Sequence, residues 1–382
     1  MSSIFNHLPE PSVDPIFRIN EEAKKAGPEA LNATVGMLFD EGGKVAVFPS
    51  VLKALDYMNH EAPFGMGYPP LTGIPAYRKA VMDLIPHEEG KLAAVATTGG
   101  TGGLAVNMRL LRAMAPNMPL ILPIPAWVNH KGIAAEAGVD VQEVPYLENG
   151  RPSIDAIVER IKLDACAVLL QIRHNPTGLD FSTDQWRDLA REMSRHGSVA
   201  FLDTAYQGFG THPKEDMLGV SAMTEQGVPS LIAWSGAKNH TMYSERAGAA
   251  AATVPDAIAL KRVQETYMAI IRSLQSATAT FGQRLVATVQ EHFQADWLQN
   301  LQEARDLLGQ KRRFLIGALP SRFTAALSGK GLFAQPSLLP VEIQRMREKK
   351  VFLTDEGRMN LGGIPLARMS EFAQKMVDSL EE

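Results

Sequence analysis

Short apolar runs alternate with amphipathic segments along most of the chain. The short runs stop at turn-forming residues, which is typical of buried strands, whereas the amphipathic segments place apolar residues three and four positions apart, as helices do. The predicted strands are 93–97, 120–123, 139–144, 167–172, 199–203 and a run that ends at Ser235. The predicted helices are 51–58, 75–84, 104–114, 129–137, 154–161 and 183–195. This alternation predicts an α/β fold with a mostly parallel central sheet between helices.

The pattern becomes mainly helical after Pro255, and a smaller α/β unit closes the chain. The elements predicted for this part are helices 257–274, 278–292, 297–319, 340–348 and 369–380 and a strand at 351–353. The long third helix is of the kind that joins two domains. We therefore expect a large domain over 49–295 and a small C-terminal domain over 296–382, with 1–48 forming an N-terminal arm and part of the small domain.

Several turns follow predicted strands directly. They are 98–103, 174–178, 203–206 and 235–238. Because the carboxyl ends of parallel strands meet at one edge of a sheet, and ligands bind there, we expect these turns to lie together. The first turn, from Thr98 to Gly103, is rich in glycine and precedes a helix, so its free N–H groups and the helix dipole favour an anion. A tight packing turn is the alternative, since the turn lacks the Gly-Lys-Ser/Thr sequence of a P-loop.

Lys238 lies in the turn after the strand that ends at Ser235. An amine becomes a nucleophile near neutral pH only where burial or neighbouring cations lower its pKa, and Arg246 is a candidate cation. The alternative is an ordinary exposed loop lysine, which most lysines are. The choice depends on the residues that surround this lysine.

Composition and charge narrow the class of protein. The chain has 382 residues, of which 45% are hydrophobic and 21% charged, as in a soluble globular protein. A net charge of -4 provides no basic field for nucleic acid or an anionic membrane. The chain begins without a basic region followed by an apolar run, and no apolar stretch reaches the roughly 18 residues of a membrane span. These features predict a cytoplasmic protein whose partner is a small molecule or another subunit.

Cys166 is the only cysteine, so the chain cannot form an intramolecular disulfide. Its apolar neighbours favour a buried, inert thiol over a nucleophile.

The polar residues at the predicted sheet edge match the needs of pyridoxal phosphate. Lys238 offers an amine for its aldehyde, while the glycine turn and Arg246 offer donors for its phosphate. Asp203 offers a carboxylate that keeps the ring nitrogen protonated, and Tyr206 and Asn175 offer neutral donors for the phenolate oxygen. This single cofactor accounts for all of them.

A series of motifs runs through nearly the whole chain in a fixed order. They are Asp14-Pro-Ile, Val35-Gly36, Tyr68-x-x-x-Thr-Gly73, Gly100-Thr-Gly102, Pro125-Ala-Trp127-Val-Asn-His130, His174-Asn175-Pro-Thr-Gly178, Asp203-Thr-Ala-Tyr206-Gln-Gly-Phe209, Ser235-Gly-Ala-Lys238-Asn239, Arg246 and Gly357-Arg358-Met-Asn360. By these motifs the chain resembles the fold type I pyridoxal phosphate enzymes, specifically the class I aminotransferases of the aspartate/aromatic group.

This resemblance implies roles around the cofactor ring. Lys238 would be the Schiff-base lysine and the general base, and Asp203 would pair with the pyridine nitrogen. Tyr206 and Asn175 would hold the phenolate oxygen, although an Asn-Pro-Thr-Gly sequence also forms turns without any such role. The remaining expected ring contacts are Trp127, stacked on the ring, and His130, behind Asp203.

The resemblance also implies a phosphate site and a second chain. Gly100, Thr101, Ser235 and Arg246 would bind the phosphate, together with Tyr68 from the neighbouring subunit of a homodimer. The sequence departs from many relatives at Gly99, where they have serine, so one hydroxyl donor is missing. Backbone donors remain, and we expect phosphate binding to be retained.

For the substrate, the resemblance implies that Arg358 binds the α-carboxylate and that Gly36 lies over it, with Trp127 and Asn175 nearby. Arg272, again from the other subunit, matches the arginine that binds a second carboxylate in aspartate-type members. Its surroundings differ, because Ser273-Leu-Gln-Ser-Ala-Thr-Ala replaces a proline-containing turn. The preference for dicarboxylates therefore stays open, and no metal is expected.

The predicted function is transamination between an L-amino acid and a 2-oxo acid by a ping-pong cycle. Aspartate or glutamate is the favoured amino donor, and aromatic amino acids are also considered. One alternative is a β-lyase or decarboxylase on the same fold, which would keep Lys238 and Asp203 but would need no oxo-acid acceptor. Another alternative is a non-enzymatic binding protein. Such proteins usually carry an added DNA-binding segment, and none is expected here.

Overall fold

The structure is a computed structural model that describes residues 4–7, 15–61 and 67–380. Asp14 of the first motif lies outside the described residues, as does most of the loop that precedes Tyr68.

The strands and helices follow the alternation expected from the sequence. The strands are β1 Leu31–Asn32, β2 Leu92–Thr98, β3 Leu120–Ile124, β4 Val141–Pro145, β5 Leu147–Glu148, β6 Arg151–Pro152, β7 Ala167–Gln171, β8 Val199–Asp203, β9 Ser230–Ser235, β10 Ala247–Thr253, β11 Phe333–Ala334, β12 Val351–Phe352 and β13 Met359–Asn360. The α-helices are α1 Pro15–Lys25, α2 Pro49–Glu61, α3 Pro75–Asp83, α4 Gly99–Met114, α5 Asn129–Glu136, α6 Asp155–Ile161, α7 Thr183–Arg195, α8 Leu218–Glu225, α9 Gly236–Asn239, α10 Ala257–Gln275, α11 Phe281–His292, α12 Gln294–Ala318, α13 Thr324–Leu327, α14 Pro340–Glu348 and α15 Met369–Val377.

The large sheet has seven strands in the order β2-β10-β9-β8-β7-β3-β4. All neighbouring pairs are parallel except those of β10, which runs antiparallel to both β2 and β9. The carboxyl ends of β2, β7, β8 and β9 therefore lie at one edge, as the sequence predicted. Apolar clusters cover both faces of this sheet, with helices packed against them.

Strand β10 was not predicted from the sequence, because its run of alanines has little strand propensity. Small residues are required there by the packing of α4 across the sheet. A Cβ on Gly103 of α4 would lie 2.5 Å from the carbonyl oxygen of Ala249. Helix and strand thus approach each other more closely than larger side chains would permit.

The glycine turn is part of a helix and not a loop before one. Helix α4 begins at Gly99, whereas the sequence predicted a helix from Leu104. Gly99 has a φ of 68°. A Cβ on Gly248 of β10 would lie 2.2 Å from the carbonyl carbon of Gly99. The glycines therefore allow the helix to begin directly against the sheet, with its first N–H groups at the ligand-binding edge.

The end of the chain forms a smaller unit with the N-terminal segment. Strand β1 pairs in parallel with β12, so the segment near residue 31 joins the C-terminal part, and the long helix α12 connects this part to the sheet. The boundaries at 48/49 and 295/296 remain a prediction. Within the described residues no helix is long and apolar enough to cross a membrane.

Cys166 is fully buried beside Ser198, and burial raises the pKa of its thiol. The prediction of a buried thiol is confirmed, and a raised thiol pKa disfavours the nucleophilic thiolate.

Candidate active site

Lys238 lies on the short helix α9, directly after β9. Ser235 caps this helix, because its Oγ accepts a hydrogen bond from the backbone N–H of Ala237 at 3.2 Å. Farther along, the indole Nε1 of Trp297 donates to the carbonyl of Asn239 at 2.6 Å. The turn that carries the lysine is thus held at both ends by the core.

The surroundings of Lys238 change the chemistry of its amine. Burial lowers the pKa of Lys238 to about 8, and Arg246 lowers it further, whereas Asp203 opposes the shift. The Nζ atom lies 5.7 Å from the centre of the Tyr206 ring and 6.0 Å from that of Tyr243. The alternative of an ordinary exposed loop lysine is therefore wrong.

Asp203 ends strand β8 and is held by three donors. Its Oδ2 accepts from Gln171 Nε2 at 2.7 Å and faces His130 Nε2 at 3.0 Å, while Oδ1 accepts from the backbone of Ala205 at 3.0 Å. Among the described residues His130 Nδ1 is buried without a hydrogen-bond partner, so the hydrogen bond of this ring is the one between Nε2 and Asp203. Three donors hold this carboxylate in one orientation.

Gln171 was not among the candidates from the sequence. It ends β7 and pairs in register with Asp203 of β8, which places the two side chains next to each other. Its other amide atom, Oε1, accepts from the backbone N–H of Asn175 at 2.9 Å. The sequence does carry one signal for Gln171, because it is a polar residue at the end of an otherwise apolar strand.

Arg358 is nine-tenths buried and contacts two parts of the chain distant in sequence. Its Nη1 donates to Asn175 Oδ1 at 2.9 Å, and its Nη2 donates to the carbonyl of Thr34 at 2.5 Å. Its guanidinium carbon lies 4.6 Å from the centre of the Phe333 ring. The fork of the arginine is thereby fixed next to Asn175.

Tyr206 lies beside this arginine, with its ring edge-on to Phe333 at 5.4 Å. Burial raises the pKa of Tyr206 well above its ordinary value, although Arg358 opposes the shift, so the phenol stays protonated at neutral pH. A Cβ on Gly36 would lie 2.7 Å from the Phe333 ring and 3.5 Å from the Tyr206 hydroxyl. Glycine at 36 thus lets its segment approach these two rings, and Phe333 is a neighbour that sequence reasoning missed.

The start of α4 faces Ser235 and Arg246. A Cβ on Gly100 would lie 3.0 Å from the Cβ of Ser235, and one on Gly99 would lie 2.4 Å from Nη2 of Arg246. The N–H of Gly99 also donates to the carbonyl of Arg246 at 2.6 Å. Together with Thr101 in the first turn of the helix, these residues form a positively polarised cradle at the N-terminus of a 16-residue helix.

Trp127 is half-buried and lies edge-on to His130, with 5.2 Å between ring centres. It borders a cavity of about 410 Å³ that also reaches Asn175, Arg358 and Ile16 of helix α1. Most of the surface that lines this cavity is apolar, and Lys131 and Glu356 lie among its polar residues.

Two predicted site residues are not part of this cluster within the chain. Tyr68 is 96% exposed, and Arg272 is exposed on α10, where its Nη1 donates to Ser276 Oγ at 2.6 Å. Both had been predicted to serve the site of a neighbouring subunit.

A comparison with protein families identifies the family of this chain. The family described as "Aminotransferase class I and II" matches residues 29–376. The chain belongs to this family. The aminotransferase is 30% identical to the aromatic-amino-acid aminotransferase of Escherichia coli K12, over 94% of this chain and 96% of that protein. It is 28% identical to the aspartate aminotransferase of Pseudomonas aeruginosa, over 99% and 100% of the two chains.

Solved structures agree with this assignment. An aromatic amino acid aminotransferase from Burkholderia cenocepacia superposes with a TM-score of 0.93 at 29% identity, covering 99% of each chain. An aromatic-amino-acid aminotransferase from Burkholderia pseudomallei, covalently bound to pyridoxal phosphate, superposes with a TM-score of 0.94 at 26% identity, covering 100% of each chain. The aminotransferase therefore has the fold type I architecture, uses pyridoxal phosphate and acts on an amino acid and a 2-oxo acid.

The donor set of the aminotransferase fits this cofactor. An amine of lowered pKa lies near a carboxylate held by three donors, and a glycine cradle at a helix N-terminus lies beside an arginine. Among the residues that the structure describes, no group of three or more His, Cys, Asp or Glu side chains could hold a metal ion.

Proposed function

We propose that this aminotransferase works by a ping-pong cycle in which an L-amino acid donates its amino group and a second 2-oxo acid collects it. Aspartate or glutamate is the favoured donor, and aromatic amino acids are a further class. The observation that carries the proposal is the cluster of half-buried Lys238 with the buried Asp203, Asn175 and Arg358. It combines a base of lowered pKa with an arginine that is already held in place to bind a carboxylate. Relatives named for aspartate, aromatic and tyrosine substrates support both donor classes.

In this proposal Lys238 holds the cofactor and then moves the proton at the substrate α-carbon. Bound pyridoxal phosphate supplies the carbonyl carbon that takes up the amino group and a ring that delocalises the electron pair released at the α-carbon. With a pKa of about 8, the free Lys238 amine is partly neutral near pH 7 and can accept a proton.

Asp203 would pair with the ring nitrogen, because its contacts with Gln171, His130 and Ala205 hold the carboxylate in place. Tyr206 and Asn175 would face the phenolate oxygen. The high pKa of Tyr206 supports a donor role, since the phenol keeps its proton. Trp127 would stack on the ring.

The phosphate would bind in the cradle formed by Gly100, Thr101, Ser235 and Arg246. The absent side chain at Gly99 leaves space in which the Arg246 guanidinium lies. From this position the guanidinium would contact the phosphate directly. Such a contact supports phosphate binding without the serine hydroxyl found in many relatives.

Arg358 would bind the substrate α-carboxylate, with Gly36 above it. A guanidinium fork that is already fixed by Asn175 and Thr34 loses little conformational entropy when a carboxylate arrives. The apolar cavity next to Trp127 and Arg358 supports the acceptance of apolar side chains as well.

A panel of amino donors tests the substrate assignment. With 2-oxoglutarate as acceptor, we expect Arg272→Ala to lower kcat/KM for aspartate by about 100-fold, because a charge-assisted pair with the distal carboxylate is lost. Turnover of an aromatic donor should change little. Arg262→Ala, an exposed arginine on the same helix, is the matched control. Unchanged aspartate turnover in Arg272→Ala would remove the distal-carboxylate role and leave the rest of the proposal standing.

We further propose a homodimer in which Tyr68 and Arg272 reach the partner's site, which the full exposure of Tyr68 supports. Lys238→Ala chains mixed with Arg272→Ala chains should then regain about a quarter of wild-type aspartate activity, because half the dimers are mixed and each has one intact site. Lys238→Ala mixed with Asp203→Asn is the control, since both residues act within one chain and no site is restored. A mixture with no recovery would contradict the shared site.

A further inference from the structure

Arg312 of α12 lies outside the cluster described above and binds an unusual number of backbone carbonyls. It is 5% exposed. Its Nη1 donates to the carbonyl of Leu327 at 3.2 Å, and its Nη2 faces the carbonyls of Lys330 at 3.1 Å and Gly331 at 3.0 Å and also that of Phe333. A single side chain therefore fixes the backbone of the segment 327–333.

The same segment is joined to the turn that carries Asn175. The N–H of Lys330 donates to the carbonyl of Gly178 at 2.8 Å. A Cβ on Gly178, whose φ is +69°, would lie 2.0 Å from the carbonyl oxygen of Phe333 and 2.9 Å from Nη2 of Arg312. The turn, the segment and the guanidinium are thus in direct contact at Gly178, where a side chain would not fit.

Two residues anchored in this way meet at Arg358. Asn175 arrives from the turn and accepts a hydrogen bond from Arg358 Nη1 at 2.9 Å. Phe333 arrives from the segment, and its ring centre lies 4.6 Å from the Arg358 guanidinium carbon and 5.4 Å from the centre of the Tyr206 ring. A shift of the segment would therefore move two of the groups that orient Arg358.

We propose that Arg312 is a positioning residue for carboxylate binding. By holding the carbonyls of 327–333 against the turn at Gly178, it sets the distance and angle at which Phe333 and Asn175 support Arg358. This inference rests on the proposed function, in which Arg358 binds the substrate carboxylate. Nothing in the reaction requires Arg312 to touch substrate or cofactor.

The chemistry of the side chain explains why an arginine is needed. A guanidinium directs five N–H groups in a rigid planar fork and can serve several carbonyls at once, whereas a lysine has one nitrogen. Burial lowers the pKa of Arg312 to about 10, which still leaves it charged near neutral pH. Arg312→Lys therefore retains the charge but not the fork, and Arg312→Met removes both.

The test measures binding and turnover separately on the holoenzyme. A 2-methyl amino acid, which has no α-proton, reports binding alone through the absorbance of the cofactor, and the unmethylated donor gives kcat and KM. We expect Arg312→Lys to raise the analogue's Kd and the donor's KM about 10-fold, with kcat within about 2-fold. Arg305→Lys, on the same helix, is the matched control because Arg305 also donates to a backbone carbonyl, that of Gly208.

A double variant shows whether Arg312 acts through Arg358. Adding Arg312→Lys to Arg358→Lys should raise KM by less than about 2-fold, since the residue to be positioned is already altered. Phe333→Leu, which keeps Arg312, should reproduce the increase in KM if Arg312→Met proves too unstable to purify.

The outcomes separate the two proposals. If Arg358→Lys raises KM while Arg312→Lys leaves Kd and KM unchanged, the positioning inference is wrong and the proposed function stands. An equal effect of Arg305→Lys, or a full 10-fold effect of Arg312→Lys in the Arg358→Lys background, would also overturn the inference. If Arg358→Lys itself leaves KM unchanged, the carboxylate role in the proposed function fails.

Discussion

Lys238→Ala is expected to lower the rate of transamination by at least about 10⁴-fold, the upper range for loss of a positioned general base, because the variant also lacks the amine that holds the cofactor. The fold should be retained. Burial disfavours the charged amine, as the lowered pKa of about 8 indicates, so its removal takes an unfavourable buried charge away at pH 7. The unfolding midpoint of the cofactor-free variant should therefore equal or exceed that of the wild type.

The measurement is a single turnover of amino donor by protein loaded with pyridoxal phosphate, followed by cofactor absorbance. Lys238→Arg is the matched control, since it keeps a cation of similar length whose pKa is too high for proton transfer at neutral pH. We expect it to be as inactive as the alanine variant. Wild-type turnover in Lys238→Ala would show that another residue serves as the base.

The second large effect is expected for Asp203→Asn, with kcat lower by about 1,000-fold at nearly unchanged cofactor affinity. The amide has the shape of the carboxylate, but its single oxygen can accept from Gln171 or from Ala205 and not from both. It also lacks the charge that keeps the ring nitrogen protonated. The cofactor would remain attached through Lys238 and the phosphate cradle.

Asp203→Glu separates charge from shape, because it retains the carboxylate and displaces it by one methylene. We expect Asp203→Glu to be more active than Asp203→Asn in steady-state assays at saturating donor. If the order is reversed, the hydrogen-bond geometry at His130 matters more than the charge. Wild-type kcat in Asp203→Asn would contradict the role of the carboxylate altogether.

Local patterns account for much of what was predicted correctly. Helix α7 begins after Ser182 as expected, because Ser182 and Gln185 satisfy each other's backbone N–H groups and need no distant partner. Asp203 and Ser235 were placed at strand ends by the apolar runs that precede them, and those strands end there. Such features depend on neighbours within a few residues, which the sequence displays directly.

The secondary-structure predictions were incomplete in segments that consist mainly of glycine or alanine. Gly99 begins α4 and the run Ala247–Thr253 forms an inner strand, although neither has the propensity of its element. Both depend on the close approach of α4 to β10, which requires small side chains or none. Tertiary packing overrides local propensity at such positions.

The sequence by itself determined the alternation of strands and helices, the edge at which the polar turns meet, and the identity of Lys238, Asp203 and Asn175 as candidates. Only the tertiary structure decided how they are supported. Gln171 reaches Asp203 through sheet register, and Phe333 and Arg312 reach the Asn175 turn across more than a hundred residues of chain. Chemical identity is local to a residue, whereas the pKa of a group and the direction of its hydrogen bonds depend on neighbours that only folding brings near.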